Sequence, residues 1–211
     1  QAVCDDPVAA DMVVARATHP TDIQLPVMWT WIQILRQLGD GLGEPGRDML
    51  RRTAPDVVDA LVPEWNDHRV ATLIRAPASG FGLVEKLAAT VFQLSSLKPL
   101  LLVLDDLHVA DSDACDVLAL LTEQLPRLPV HVIANWTTTG RDRPVNRRSF
   151  ERFIRSSGVE TRHLDGLTDD AAAELVESFM GGPAPASIQD YVRTRAAGNP
   201  FYIKELVRTI T

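Results

Sequence analysis

Leu100-Leu-Leu-Val-Leu-Asp-Asp-Leu-His108 decides how this chain of 211 residues is read. Its five apolar residues do not alternate with polar ones, so both faces of the segment are expected to be covered, as in a central strand of a parallel sheet. Two carboxylates follow at once. In open parallel sheets ligands sit beyond the carboxyl ends of the strands, so this strand delivers Asp105 as a hard oxygen ligand where a magnesium-bound phosphate would lie. Asp106, one residue on, is placed to orient or activate a water. The plainer alternative is a helix cap or a solvated loop, but Asp111 and Ser112 already occupy the capping position of the following helix.

The flanking sequence has the rhythm of an α/β protein. Residues 12–17, rich in valine, read as a strand. Trp29, Trp31, Ile32, Ile34, Leu35 and Leu38 supply the apolar face of a helix that Gly39 is expected to end. Four glycines and a proline from Gly39 to Gly46 then predict a loop, and a polar, arginine-bearing helix should run to about Leu61. Val84, Leu87, Ala88, Val91 and Leu94 recur at helical spacing ahead of the Leu100 strand. Beyond it, Ser112 opens a helix with Val117, Leu118, Leu121 and Leu125 on one face. Pro129-Val-His-Val-Ile-Ala134 is the next strand, and residues 159–164 a weaker one. Strands alternating with helices predict a parallel sheet with flanking helices.

From Thr168 the pattern turns all-helical. Ala172, Leu175, Val176 and Phe179 form the stripe of one helix, closed by Gly181 and Gly182; Ser187 starts a second helix, and Asn199-Pro200 a third. The expected division is therefore an α/β core over 1–166 and a helical subdomain over 167–211.

Composition excludes several classes of function. The chain is 45% hydrophobic and 23% charged, ordinary for a globular protein. A net charge of −7 makes the whole-chain field repel nucleic-acid phosphates and anionic membranes. Arg141, Arg143, Arg147, Arg148, Arg152 and Arg155 do crowd one segment, opposite Phe150, Phe153 and Ile154. That is an amphipathic helix with a basic polar side, read first as a solvated or partner-docking face. Direct contact with DNA is the weaker reading, because no aromatic residue lies on the polar side. Cys4 and Cys115 have no metal-ligand spacing and fit a reducing, cytoplasmic compartment. No apolar run reaches the ~18 residues of a membrane span. The start at Gln-Ala-Val-Cys, with no methionine and no leader, reads as a cut from a longer chain.

A nucleotide-gripping loop is the natural companion of such an acid pair. Gly41-Leu-Gly-Glu-Pro-Gly-Arg-Asp48 has its glycine spacing, but Arg47 stands where lysine should reach the phosphates. Asp48 stands where a hydroxyl should bind magnesium, and a helix rather than a strand runs into the segment. It is read as a connecting loop, and no other segment fits better.

Taken with its surroundings, Leu-Leu-Leu-Val-Leu-Asp-Asp-Leu-His-Val-Ala-Asp111 resembles the Walker B segment of the signal-transduction NTPases with numerous domains. The likeness is to the AAA-like ATPase module of large LuxR-type bacterial regulators, with Val109 where tryptophan is common. Leu25-Pro-Val-Met-Trp-Thr-Trp-Ile-Gln-Ile-Leu-Arg36 is similar to the family's tryptophan-bearing helix. Trp136-Thr-Thr-Thr-Gly-Arg-Asp142 looks like the end of its fourth strand. His163-Leu-Asp-Gly-Leu-Thr168 and Ala197-Gly-Asn-Pro-Phe-Tyr-Ile-Lys-Glu-Leu206 resemble the entry to its helical lid and the lid motif. The order and spacing of these pieces make the likeness specific.

The resemblance implies a P-loop NTPase-type fold with strand order 5-1-4-3-2, followed by a helical lid. It implies an ATP-binding and hydrolysing switch of a cytoplasmic transcriptional regulator, with ATP, ADP and Mg2+ as ligands. Self-association would run through this module, and DNA would be met only through domains outside the segment. Asp105 would hold magnesium through water, Asp106 would position the attacking water, and Arg141 would be the sensor arginine. Pro200 of the Gly198-Asn199-Pro200 turn would lie near the adenine. The residues by themselves allow alternatives: Gly198, Asn199 and Pro200 also read as helix capping, Arg141 as a solvated loop residue, and His108 as packing.

The family's P-loop strand and helix would precede residues 12–17, making residues 1–10 the tail of that helix. The absent strand would lie between those at Val159 and Val130, leaving unpaired edges. The chain alone is then expected neither to bind ATP tightly nor to hydrolyse it. A non-catalytic protein-interaction scaffold is the alternative class.

Overall fold

The computed structural model describes residues 10–20, 25–65, 81–137, 147–156 and 158–210. Arg141, Arg143 and the expected helix tail ahead of Ala10 lie outside them. The chain forms two compact units, Gln1–Glu160 and Thr161–Thr211. The first is α/β; the second is helical.

Three parallel strands make the sheet of the first unit: β1 (Val13–Ala17), β2 (Leu100–Leu104) and β3 (Val130–Ala134), side by side in that order. Val13 pairs with Leu100 and Leu100 with Val130, and the register holds to Ala17, Leu104 and Ala134. Parallel neighbours need long crossovers, and helices supply them. α1 (Trp29–Thr53), α2 (Pro55–Leu61) and α3 (Phe81–Ser95) lie between β1 and β2 in sequence; α4 (Ser112–Thr122) lies between β2 and β3, and α5 (Arg147–Ile154) follows β3. β2 is central, and only Val103 among its five residues is not buried, which is what its unbroken apolar run requires. Leu100, Leu102 and Leu104 share one core with Trp31, Ile34, Leu35, Leu87, Val91, Leu118, Phe150 and Phe153. The arginine-bearing α5 thus turns its two phenylalanines inward.

The expected loop from Gly39 to Gly46 is instead part of α1. The helix breaks only at Gly43, at φ 64° and ψ −156°, two residues before Pro45. Gly39 and Gly41 serve close packing. A Cβ on Gly39 would fall 2.3 Å from Trp65 Cη2, and one on Gly41 2.4 Å from Val13 Cγ1. Small residues here let the helix sit against the strand, an outcome that glycine spacing alone does not distinguish from a turn. Arg47 and Asp48 are engaged in ion pairs with Asp40 and Arg51.

The two sheet edges differ. On β1 the outward groups of Arg16 are taken by α1: Gln37 Oε1 accepts from the Arg16 N–H at 2.9 Å, and Gln37 Nε2 donates to the Arg16 carbonyl. Gln33 does the same for Thr18. β3 has no such cover among the described residues.

Residues 159–164 do not form the expected strand. Val159 packs partly on the core, but residues 160–164 are exposed, Leu164 to 89%. Glu160, Thr161, Arg162 and His163 give this stretch no apolar face to bury, so pairing would gain little.

The second unit contains α6 (Asp169–Met180), α7 (Ala186–Ala196) and α8 (Pro200–Ile210) around Ala172, Val176, Val192, Ala196, Ile203 and Val207. Thr168 Oγ1 caps α6 by accepting from the Ala171 N–H, and Gly181 ends it at φ 74°. Two expectations need correction: Phe179 is 45% exposed rather than part of the buried stripe, and α7 starts at Ala186, not Ser187.

Candidate functional site

The carboxyl ends of all three strands meet in one polar network. β2 extends one residue past its last leucine, because the Asp105 N–H donates to the Ala17 carbonyl at 2.8 Å. Asp106 then takes the left-handed conformation, φ 56° and ψ 43°, which aspartate tolerates better than most residues. This reversal starts a short 3-10 turn, Leu107–Val109, that buries Leu107 and His108 and leaves Asp106 exposed.

Asn135, the first residue after β3, ties the two acids together. Its Nδ2 donates to Asp105 Oδ1 at 2.7 Å, while its Oδ1 accepts from the Asp106 N–H at 2.8 Å. Its backbone continues the ladder, donating to the Leu104 carbonyl at 3.0 Å and accepting from the Leu107 N–H at 3.0 Å. Side chain and main chain together therefore fix where the acid pair can lie.

From the β1 side, buried His19 reaches the Asp105 carbonyl with Nδ1 at 2.7 Å and Thr30 Oγ1 with Nε2 at 2.7 Å. A carbonyl can only accept, so Nδ1 carries a proton; with the ring neutral, Nε2 accepts from the Thr30 hydroxyl. Thr30 lies in the first turn of α1, so this buried contact joins that helix to Asp105.

Asp111 closes the other flank. Its Oδ1 caps α4 by accepting from the Ala114 N–H, and its Oδ2 accepts from the Met28 N–H, both at 2.8 Å. The cap is Asp111 alone; Ser112, expected to share the position, is the first residue of the helix. A different residue caps α4, so neither Asp105, half-buried, nor Asp106, exposed, serves as that cap. His108 is buried, and its Nδ1 accepts from the Thr137 N–H at 3.4 Å, as fits a packing and hydrogen-bonding residue.

The donor set suits a hard cation held largely by others. Asp105 spends one oxygen on Asn135, and no cationic side chain pairs with Asp105 or Asp106 among the described residues. Among those residues no group of three or more His, Cys, Asp or Glu could hold a metal by itself. Magnesium bound through one carboxylate, with water and phosphate oxygens completing its shell, needs only what Asp105 offers. Comparison of the chain with protein families, with curated proteins and with solved structures returns no match.

The remaining candidates are in different places. Arg141 lies outside the described residues. Gly198, Asn199 and Pro200 belong to the second unit, where they join α7 to α8. Gly198 has φ 75°, and a Cβ there would fall 2.6 Å from the Leu167 carbonyl oxygen. Asn199 Oδ1 accepts from the Phe201 N–H at 3.0 Å, and Pro200 opens α8. The triplet thus caps one helix and starts the next.

Sequence reading missed Asn135, His19 and Thr30. Asn135 was detectable in principle: it is the first polar residue after the apolar strand beside β2, at the level of Asp105. His19 carries no such signal, since its partners are 86 and 11 residues away.

Proposed function

We propose that the Asp105–Asp106 turn is the Walker B half of a nucleotide-dependent switch, in which Asp105 helps hold Mg2+ on a nucleoside triphosphate and Asp106 positions the water that attacks it. The reading extends the resemblance to the ATPase module of LuxR-type regulators, and one observation carries it. The acids stand at the carboxyl end of the central parallel strand, where α/β sheets bind ligands, and the neutral amide of Asn135 holds the Asp105 carboxylate and the Asp106 N–H. Bound magnesium would supply charge neutralisation of the phosphates. This chain's residues would supply a fixed carboxylate, a second carboxylate to accept a hydrogen bond from water, and an amide that holds the first carboxylate and the main chain of the second.

The lysine-bearing phosphate loop is not among these residues, so Mg2+-ATP titrated into the 211-residue chain is expected to show no micromolar binding in a filter assay. In a polypeptide joining a GxxxxGK[ST] loop to this segment, Mg2+-dependent binding should appear. Asp105→Asn should then remove the magnesium dependence, and Asp106→Asn should keep binding but slow hydrolysis. Magnesium dependence that survives Asp105→Asn would refute the assignment.

A further inference from the structure

We infer that His19 is a positioning residue for the acid turn: its ring holds the peptide group that joins Asp105 to Asp106, and through Thr30 it makes the setting of that group depend on the first turn of α1. The inference rests on the role proposed above for Asp105 and adds a control on it.

The ladder between β1 and β2 shows what is unusual at this point. Val13 N–H donates to the Pro99 carbonyl, and Asp105 N–H to the Ala17 carbonyl. Bonds in a parallel pair are evenly spaced, so the next donor in the series is the His19 N–H and its acceptor the Asp105 carbonyl. The side chain takes that place instead: Nδ1 of His19 reaches the oxygen at 2.7 Å. A main-chain bond would be indifferent to the residue at position 19. A ring bond is not, and the second ring nitrogen carries the link on to Thr30 Oγ1, also at 2.7 Å.

What the ring holds is the pivot of the acid pair. The Asp105 carbonyl and the Asp106 N–H belong to one planar peptide unit. His19 grips its oxygen from the β1 side, and Asn135 Oδ1 grips its N–H from the β3 side at 2.8 Å. Both grips are side chains. The tilt of this unit sets where both acid side chains leave the main chain, so releasing one end loosens the turn in which Asp106 takes its left-handed conformation.

The start of α1 is placed to act through this contact. It is tied to the end of β1 by Trp29, whose Nε1 donates to the Thr18 carbonyl at 3.1 Å, and to the far flank of the acid segment by the Met28 N–H on Asp111. His19 is 3% and Thr30 0% exposed, so the ring is screened from water and its bonds are correspondingly strong. A shift of the helix start is therefore passed to Asp105 through His19.

Amide hydrogen exchange of the 211-residue chain tests this, with Asp106 as the reporter and Leu102, in the middle of β2, as the measure of global stability. His19→Leu should speed exchange at Asp106 about fivefold relative to Leu102, the worth of one hydrogen bond. His19→Asn, whose amide nitrogen takes the place of Nδ1 but does not reach Thr30, should stay within about twofold of the unaltered chain. Thr30→Val should have an effect of about twofold with histidine in place and none in the His19→Asn background. In the unaltered chain, nitrogen NMR of the His19 ring should find a proton on Nδ1, a measurement that needs no variant. A ring with no proton there, or Asp106 exchange that His19→Leu leaves unmoved or moves only in step with Leu102, would overturn the inference.

In a polypeptide that also carries the phosphate loop, His19→Leu should raise the Mg2+ needed for half-maximal ATP binding about tenfold, and His19→Asn should largely restore it. A magnesium requirement unchanged by His19→Leu but lost in Asp105→Asn would again overturn the inference. Binding indifferent to Asp105→Asn would instead sink the role proposed for Asp105 and leave the exchange result standing, so the two failures are told apart.

Discussion

Asn135 offers the sharpest test of the acid site, because two substitutions there separate hydrogen bonding from charge. Asn135→Ala removes the donor to Asp105 Oδ1 and the acceptor of the Asp106 N–H. Each bond is worth about 0.5–1.5 kcal/mol net, and both lie where water can replace them, so the loss should total about 1–2 kcal/mol. Asn135→Asp keeps the shape and the acceptor but sets an oxygen where the amide nitrogen now sits, 2.7 Å from Asp105 Oδ1. Two unit charges about 4 Å apart repel by roughly 1 kcal/mol in water and roughly 4 kcal/mol at an effective dielectric of 20. Partial exposure puts this pair toward the lower end, so Asn135→Asp should cost about 2–3 kcal/mol at neutral pH.

The pH dependence carries the decision. Repulsion raises the folded-state pKa of the new carboxylate pair above the unfolded value of ~4. Full stability is therefore present below that value and is lost as pH rises through the folded one. Urea titrations at about pH 3.5 and 7 should show Asn135→Asp falling behind Asn135→Ala at the higher pH and drawing level at the lower. Added salt should shrink the gap. If the two variants track one another across pH and salt, Asn135 does not bridge the acids as described.

Other consequences follow from packing and burial. Gly41→Ala, which helix propensity alone would favour by ~1 kcal/mol, should destabilise by about 1–2 kcal/mol, because its Cβ falls on the stiff Val13 side chain. Adding Val13→Ala should recover part of that loss, seen as non-additivity in a double-mutant cycle of unfolding free energies. Burial, with lesser contributions from Asp111 and Asp116, pushes the Cys115 thiol up to about 12. Its folded pKa lies above the unfolded one, so stability is intact below about pH 8.5–9 and falls above it by up to ~1.4 kcal/mol per pH unit. Cys115→Ala should flatten that part of the profile in chemical denaturation. Asp106→Gly should relieve the left-handed backbone and leave the chain as stable as before or up to ~1 kcal/mol more stable by thermal melt.

The parts legible in sequence were those set by local pattern. An unbroken Leu-Leu-Leu-Val-Leu run has one comfortable place in an α/β protein, the middle of a parallel sheet, and β2 is there. Thr168, Gly181 and Asn199 announce helix ends through side-chain or left-handed backbone chemistry that any neighbouring residues would respect. Gly39 and Gly41 were misread because glycine serves turns and close contacts equally well, and only Trp65 and Val13, distant in sequence, decide between them. Residues 159–164 were misread because β-propensity without an apolar face does not secure a strand. His19 and Thr30 could not have been found, since what makes them matter is a fold that brings Asp105 to them.

Backbone strain points to the same places as the chemistry. Among the described residues, three non-glycine positions have positive φ: Met28, Asp106 and Ala197. Each such conformation costs about 1–3 kcal/mol and persists only where the surroundings over-determine it. Met28 is held by Asp111, Asp106 by Asn135, and Ala197 adjoins the close approach of Gly198 to Leu167. Two of the three therefore lie in the network at the sheet's carboxyl end, and the third touches the Gly198 turn. A chain selected for stability alone could put asparagine or glycine at position 106 and lose nothing in the core, since Asp106 is exposed and buries no apolar surface. That aspartate stands there instead, next to a second carboxylate and with its N–H held by the Asn135 amide, is what the proposed role of the turn would require.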